Sequence, residues 1–493
     1  MKRMNIRRIL PVIAATMILF SGCNKWLDVK PSDQITDKTL FQDGSGFRNA
    51  LNGIYQQVSA PELYGRELSW GLNSIIAQDY NPVTAALTTT HLRIAEYKFT
   101  ESVVTPVVSS IWAKSFTAIA NCNKLLSEIS AADPGVFAQG EMEKNLIMGE
   151  AMAMRAMLHF DLLRLFAPSP LANRTGNFLP YQTNYPSRYV APLSTDAVLK
   201  NIVADLESAQ RLVAQNDTLT NVAAFSEGLN LRLSGSQTSA IPIVGGVFFN
   251  FRLNRVNFVA IHGLLARIYL YGGDRVNAKK EAEYVYKKYG PAGKSIFTFT
   301  SASNATGAGK FPKLADDLLL AFYDPDLPNK INTYKTTQAK TYALNPAFST
   351  WFPSSERDYR RNYINATNGS DKWVSSTSSA QYVQAQNLII PILRLSEVYY
   401  IYSECLFEEG NTTAALRVLN EVRFARDKTN TFSGTSSDAY YQELLNEYRR
   451  EFLTEGQTVF AHKRLVRPIV IGTRRIEMDS KFTLPLPDGE LIF

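Results

Sequence analysis

Cysteine is nearly absent: the 493-residue chain has three. Cys122 and Cys405 fall inside helical patterns, so no disulfide framework is available to staple the fold, and both read as small buried hydrophobes. The four histidines, His91, His159, His262 and His462, are isolated. None has a metal-ligand spacing such as H-E-x-x-H, so no transition-metal site is expected, and no cofactor. A phosphate-cradling glycine loop and a G-x-S-x-G elbow are also missing, which leaves phosphoryl and acyl transfer without support. Excess charge is lacking too. Lys and Arg total 52 against 45 Asp and Glu, a formal +7, and four of the basic residues lie in the first 22 positions. The remaining 471 residues carry roughly +3, too little for a nucleic-acid surface, so no nucleic-acid partner is expected. After the N-terminus no long apolar run occurs. At 45% hydrophobic and 20% charged, the rest reads as an ordinary soluble globular chain.

What is present begins with "MILFSGCNKWLDVKPSDQIT", Met17 to Thr36. Upstream lie Lys2, Arg3, Arg7 and Arg8, then the uncharged stretch Ile9 to Phe20, then Ser21-Gly22. This is the layout of a secretory signal, removed in the mature protein. The stretch is too short to span a bilayer, which takes about 20 apolar residues, and Pro11 weakens it further. Ser21-Gly22-Cys23 resembles the box of bacterial lipoprotein signals, although Phe20 stands where Leu is usual. On this reading residues 1–22 are the signal and Cys23 is a lipid anchor. The alternative is a buried or free cysteine behind an ordinary signal.

Helical periodicity dominates several segments. In "SSIWAKSFTAIANCNKLLSEIS" Ile111, Ser115, Ile119, Cys122, Leu126 and Ile129 share one face. "EKNLIMGEAMAMRAMLHFDLLRLF" repeats the spacing, its alanines 151, 153 and 156 admit a close neighbour, and Pro168 and Pro170 end it. "STDAVLKNIVADLESAQRLV" has Ser194 or Thr195 as a cap. The stretch from Ile261 also matches the stretch from Val398 without a gap. At a constant offset of 137 residues Gly273 meets Gly410, Asp274 meets Asn411, Ala278 meets Ala415 and Val285 meets Val422. Each unit reads as helix, tight turn, helix, with Ala266 or Ser403 as the small residue before the turn, similar to a tetratricopeptide hairpin. Between these units, residues 215–255 and 290–393 are rich in Ser, Thr, Asn, Gly and Pro. They are longer than plain connections and carry many aromatics. Short strands are expected at "SIFTFT" and "LLLAFY".

These segments, taken in order, resemble the SusD/RagB family of outer-membrane nutrient-binding lipoproteins. The resemblance rests on Leu27-Asp28 and Pro31 after the lipid cysteine and on Gly53 and Tyr55 in "FRNALNGIYQQV". It continues through Arg155-Ala156, "GLLARIYLYGGD", "LRLSEVYYIYSECLFEEGN", Arg450-Glu451-Phe452 with Glu455-Gly456, and Pro487 with Glu490. "QTVFAHKRLV" after Glu455-Gly456 departs from the family pattern. The resemblance implies a mainly α fold: a scaffold of tetratricopeptide-like helical hairpins with long loop-rich insertions and a few short strands. Residues 23–493 are then one domain. Its scaffold helices lie near 40–60, 109–167, 194–214, 255–289 and 393–464, and its ligand-face loops near 60–100, 170–193, 215–254 and 290–392. It also implies a non-catalytic, surface-exposed protein anchored in the outer membrane by its N-terminal lipid, which captures a glycan and delivers it to a SusC-like TonB-dependent transporter. A peptide ligand, a glycoside hydrolase and a helical-repeat scaffold that binds only proteins remain as alternatives.

A hydrolase would need two facing carboxylates about 5–10 Å apart. Asp79, Glu96, Asp316, Asp317, Asp324, Asp326 and Glu356 are acids in loop contexts, while Glu397, Glu404 and Glu451 read as scaffold partners for nearby arginines. A sugar site needs aromatic faces for stacking and amides or charged groups for directed hydrogen bonds. Two stretches offer both. "LYGRELSWGLNSIIAQDYNP" supplies Trp70, Asn73, Asp79 and Tyr80. "AFYDPDLPN" with "STWFPSSERDYRRNY" supplies Tyr323, Asp324, Trp351, Phe352 and Arg357. Trp351 is the stronger stacking candidate of the two tryptophans, because it lies in the long insertion beside Phe352 and Arg357.

Overall fold

Most of the long helices begin where a short polar side chain can hold the first free amides. In the computed structural model, which describes residues 40–235, 242–307 and 309–490, α1 (Gly44–Val58) is capped by Asp43, whose carboxylate accepts from the Gly46 amide at 3.0 Å. The signal, Cys23 and the Leu27-to-Pro31 opening lie outside the described residues. Helices α2 (Thr105–Ala131) and α3 (Gly140–Phe166) follow. A two-stranded ribbon of β1 (Asn177–Leu179) and β2 (Leu193–Ser194) leads into α4 (Thr195–Ala214). Ser194 is the cap of α4, accepting from the Ala197 amide. Next come α5 (Phe258–Gly272), α6 (Arg275–Lys288), β3 (Leu318–Tyr323), α7 (Leu327–Gln338) and β4 (Ile389–Arg394). The chain closes with α8 (Leu395–Glu408), α9 (Thr412–Ala425), α10 (Ser437–Glu451), α11 (Thr458–Leu465) and the hairpin of β5 (Ile469–Ile471) and β6 (Arg474–Ile476). The described residues from Asp43 onward form one compact unit.

The expected stripe of α2, from Ile111 to Ile129, is buried, with Trp112 beside it. Helix α3 is buried on all sides rather than along one stripe, because α1, α2 and α4 surround it. Ala151, Ala153 and Ala156 are completely covered, and a side chain at Gly149 would collide with Val213 and the Ala209 carbonyl of α4. Small residues therefore set how near α3 and α4 come. The two matched units are helical hairpins. Gly273 and Gly410 occupy the left-handed region at φ 84° and 82° and end their first helices. Asp274 and Asn411 then cap the second helices, accepting from the Asn277 amide at 3.1 Å and the Ala414 amide at 3.3 Å. Ala278 and Ala415 sit fully buried at the crossings, and the Ser403 hydroxyl donates to the Ala415 carbonyl at 2.8 Å. Helix α6 packs on α8, which stacks one hairpin on the other.

Strand β3 covers "LLLAFY" and pairs antiparallel with β4, Tyr323 lying opposite Ile389. The segment "SIFTFT" is not a strand. It has no partner chain to pair with: Ser295 takes a positive φ, and Phe297 instead plugs the interior beneath the Arg232 guanidinium, 4.7 Å from its ring. The long insertion is joined to the scaffold by buried charge. Arg394 reaches Asp317 at 2.9 Å and Glu455 at 2.6 Å, and Lys372 reaches Glu455 at 2.7 Å. Arg426 pairs with Asp317 and Glu451. Arg360 holds Asp358 at 2.7 Å and both Glu447 and Glu451 at 2.9 Å. Glu397 and Glu404, expected as scaffold partners, pair with Arg267 and Arg464. The arginines around Glu447 hold its carboxyl down at about 2 despite burial, which alone would raise it. Such pairs fix geometry, because removing one member strands a buried charge.

Candidate functional site

The segment carrying Trp70, Asn73, Asp79 and Tyr80 is interior, which corrects the expectation that it offers a stacking face. Trp70 is 2% exposed, donates Nε1–H to the Gly65 carbonyl at 2.9 Å, and meets the rings of Tyr342, Tyr334 and Trp373. Tyr80 donates its hydroxyl to the Trp70 carbonyl at 2.8 Å, and Asn73 donates to the Leu68 carbonyl at 3.0 Å. Asp79 accepts from the Thr454 amide at 3.0 Å and faces Arg449 at 3.3 Å; burial still pushes its carboxyl up to about 6. A Cβ at Gly456, φ 76°, would come within 2.5 Å of the Leu68 carbonyl. The Glu-Gly pair thus lets the chain end close over this segment, and Trp70, Tyr80, Asp79 and the Asn73 amide N–H are engaged within the protein, while Asn73 Oδ1 has no partner among the described residues.

Phe352 and Asp324 are also buried. The Asp324 carboxylate accepts from the Asp326 amide and from Lys330 Nζ at 2.7 Å, securing the start of α7. Arg357 is exposed, but its guanidinium forks onto the Asp427 carboxylate at 2.8 to 3.1 Å. Two of the nine residues border clefts. Tyr323, 43% exposed, lines one; Trp351, 7% exposed, lines another. The aromatics are therefore not gathered into one platform.

The first cleft encloses about 730 Å³ between α1, the end of β3, the start of α7, residues 251–255 and residues 375–388. Tyr323 stands at its wall because it is the last residue of β3, where alternation turns it outward while Phe322 faces the core. Asn52 and Gln56, one turn apart on the exposed side of α1, lie across from Gln381 and Gln384. Asn254 and Asn387 complete a set of six amides. The 375–388 segment is held in shape from within. Asn387 accepts from the Ser376 amide at 2.9 Å and donates to Gln384 at 3.1 Å. Among the described residues no carboxylate lines the cleft, so the facing pair of a glycosidase is not built there. Its one charged wall residue is Arg255, anchored by Glu150 at 2.9 Å and by the Phe248 carbonyl at 2.6 Å. Glu150 also accepts from the Tyr55 hydroxyl at 2.7 Å, which burial holds well above its usual pKa and hence protonated.

Two polar atoms in this wall have no partner among the described residues: Arg255 Nη2 and Asn254 Oδ1, both on side chains more than nine-tenths buried. A buried donor or acceptor left unpaired costs about 1–3 kcal/mol. The cleft can offer amide donors and acceptors and a phenol face to a neutral polar molecule. In sequence, residues 375–388 fall in the loop-rich stretch 290–392 but Asn52 and Gln56 fall in a scaffold helix, and none of these amides was among the expected contacts. The signal was "QYVQAQN", Gln381 to Asn387, with four amides in seven residues.

Residues 324–470 match a family model described as the SusD family, and residues 25–227 match one described as starch-binding associating with outer membrane. A curated relative, SusD-like protein P25 of Formosa agariphila, is 23% identical over 204 residues, covering 40% of this chain and 37% of its own length. A solved SusD superfamily protein from Bacteroides thetaiotaomicron is 19% identical with a TM-score of 0.66, covering 91% of this chain and 97% of that one. A SusD-like carbohydrate binding protein from Bacteroides vulgatus is 15% identical with a TM-score of 0.65, covering 91% and 96%.

Proposed function

We propose, from the premise that this chain belongs to the SusD family, that it is a binding protein which captures a neutral oligosaccharide in the amide-lined cleft beside Tyr323. The observation that carries the reading is the wall itself: six amides and one exposed phenol ring around about 730 Å³, with no lining carboxylate among the described residues. A sugar offers vicinal hydroxyls that both donate and accept, and an amide is the side chain that does both at fixed geometry without a charge to desolvate. The flat C–H face of a pyranose matches the Tyr323 ring. Family relatives described as starch-binding or carbohydrate binding support the ligand class. Outer-membrane association in the matched family description supports the location, with Cys23 as the lipid anchor of a domain from residue 23 to 493. Delivery to a SusC-like TonB-dependent transporter completes the proposal. Among the described residues no helix is long and apolar enough to cross a membrane.

The test is retention on arrays of neutral glycans and of peptides, with product analysis. Tyr323→Ala should weaken glycan binding by about 0.5–1.5 kcal/mol, up to roughly tenfold, and a Gln381→Ala, Gln384→Ala double variant should weaken it further, with unchanged melting temperature. Retention of peptides alone, hydrolysed product, or glycan binding indifferent to these changes would each reject the proposal.

A further inference from the structure

The second cleft has the opposite electrostatic character. It encloses about 630 Å³ between one face of α10, the β5–β6 hairpin and Trp351. Asp438, Gln442, Leu445 and Arg449 recur at intervals of four, three and four, so they form a single stripe along α10 facing the cleft. Three arginines line it, Arg449, Arg467 and Arg475, the last already paired with the exposed Glu477 at 2.5 Å outside the lining, against one lining carboxylate, Asp438. That carboxylate is 94% exposed at the rim and touches Arg467 at 3.2 Å. An exposed pair of this kind is weak and easily exchanged.

At the inner wall, Arg449 is 4% exposed. One nitrogen donates to the Ala77 carbonyl at 3.0 Å and faces Asp79 at 3.3 Å, while Nη2 has no partner among the described residues. The guanidinium lies over the Trp351 ring at 4.7 Å from its centre, and the Trp351 carbonyl is fixed by Arg450 Nε at 2.8 Å. A buried, unsatisfied guanidinium N–H therefore borders a cleft that also holds an indole and the amide of Gln442.

We infer that this cleft is a separate binding site for a carboxylate-bearing sugar, with the uronate carboxylate seated on Arg449, Arg467 and Arg475 and its hydroxyls directed to Gln442 and Asn446. Charge-assisted bonds from a guanidinium are the strong class, and Arg449 is held in place before any ligand arrives. The first cleft has a single lining guanidinium, Arg255, held by Glu150, and offers no such cluster. The site stands on its own residues and does not depend on neutral-glycan capture.

The experiment is calorimetric titration of the intact protein with galacturonate and glucuronate tetrasaccharides, each beside its carboxyl-reduced counterpart and beside sodium sulfate. At least one acidic tetrasaccharide should bind about tenfold or more tighter than its reduced form, and weaken as salt rises. An Arg467→Gln, Arg475→Gln double variant should lose that preference at unchanged melting temperature, both residues being partly exposed, whereas Tyr323→Ala should keep it. Equal binding of acidic and reduced forms, sulfate binding as tight as the uronate, or an unaffected double variant would overturn the inference. Loss of acidic-sugar binding in Tyr323→Ala would assign it to the first cleft and overturn it equally.

Discussion

Replacing Trp70 with alanine distinguishes a stacking residue from a packing one. Its side chain is 2% exposed, its indole N–H is bonded to the Gly65 carbonyl, and three aromatic rings lie 5.3 to 6.4 Å from its own. Removing a buried tryptophan costs about 3–5 kcal/mol, and edge-on ring pairs add about 0.5–1.5 kcal/mol each beyond buried area. The unpaired Gly65 carbonyl adds a further penalty, so the loss should fall at the upper end, about 4–5 kcal/mol. Trp70→Phe keeps part of the ring volume and should cost about half as much. Chemical denaturation followed by circular dichroism measures both losses, and glycan retention at a temperature where the variants remain folded measures the site. The expected pattern is a large stability loss with affinity preserved. A loss under about 1 kcal/mol, the range of surface substitutions, together with abolished retention would refute the packing assignment.

The buried histidine His159 should make the protein acid-sensitive. Its Nδ1–H donates to the Arg155 carbonyl at 2.9 Å and its Nε2 accepts from the Gln182 amide at 3.0 Å, so both nitrogens are committed to the neutral form, and burial pushes its pKa down to about 3. The unfolded chain takes the proton first as pH falls below the ordinary value of 6.5, so stability is lost between 6.5 and 3, by about 2–3 kcal/mol at pH 4.5. Asp79, raised to about 6, acts the other way, binding its proton earlier in the folded state and adding stability as pH falls through 6. Melting temperature against pH should be flatter for His159→Gln than for the wild type, and superimposable slopes would contradict this. Arg360→Met leaves Asp358, Glu447 and Glu451 facing one fewer cation and should cost about 3–5 kcal/mol; a neutral outcome in thermal unfolding would show the network to be dispensable. Cys23→Ala should leave the protein either uncleaved or released from outer membranes on fractionation, and a cleaved form that still sediments with membrane would dismiss the lipid anchor.

Helices, their caps and the two hairpins were legible in the sequence because their causes are local. An apolar residue every third or fourth position, Ser194 or Asn411 before a helix and Gly273 or Gly410 after one act within a single turn of chain. The same locality made Leu318 to Tyr323 readable as a strand, yet it misled at "SIFTFT", where alternation is present and a pairing strand is not. Burial is a different kind of property. Trp70 and Trp351 looked alike in sequence, each an aromatic among polar residues in aperiodic chain. Trp70 is sealed because Gly456, 386 positions later, lets the C-terminal segment approach its loop, and Trp351 borders a cleft because α10 packs beside it. The same holds for charge: Asp317 was one of several loop acids that looked alike until the fold placed Arg394 and Arg426 against it. Periodicity fixes which residues form an element, and only the packing of distant elements decides which side chains are left facing solvent.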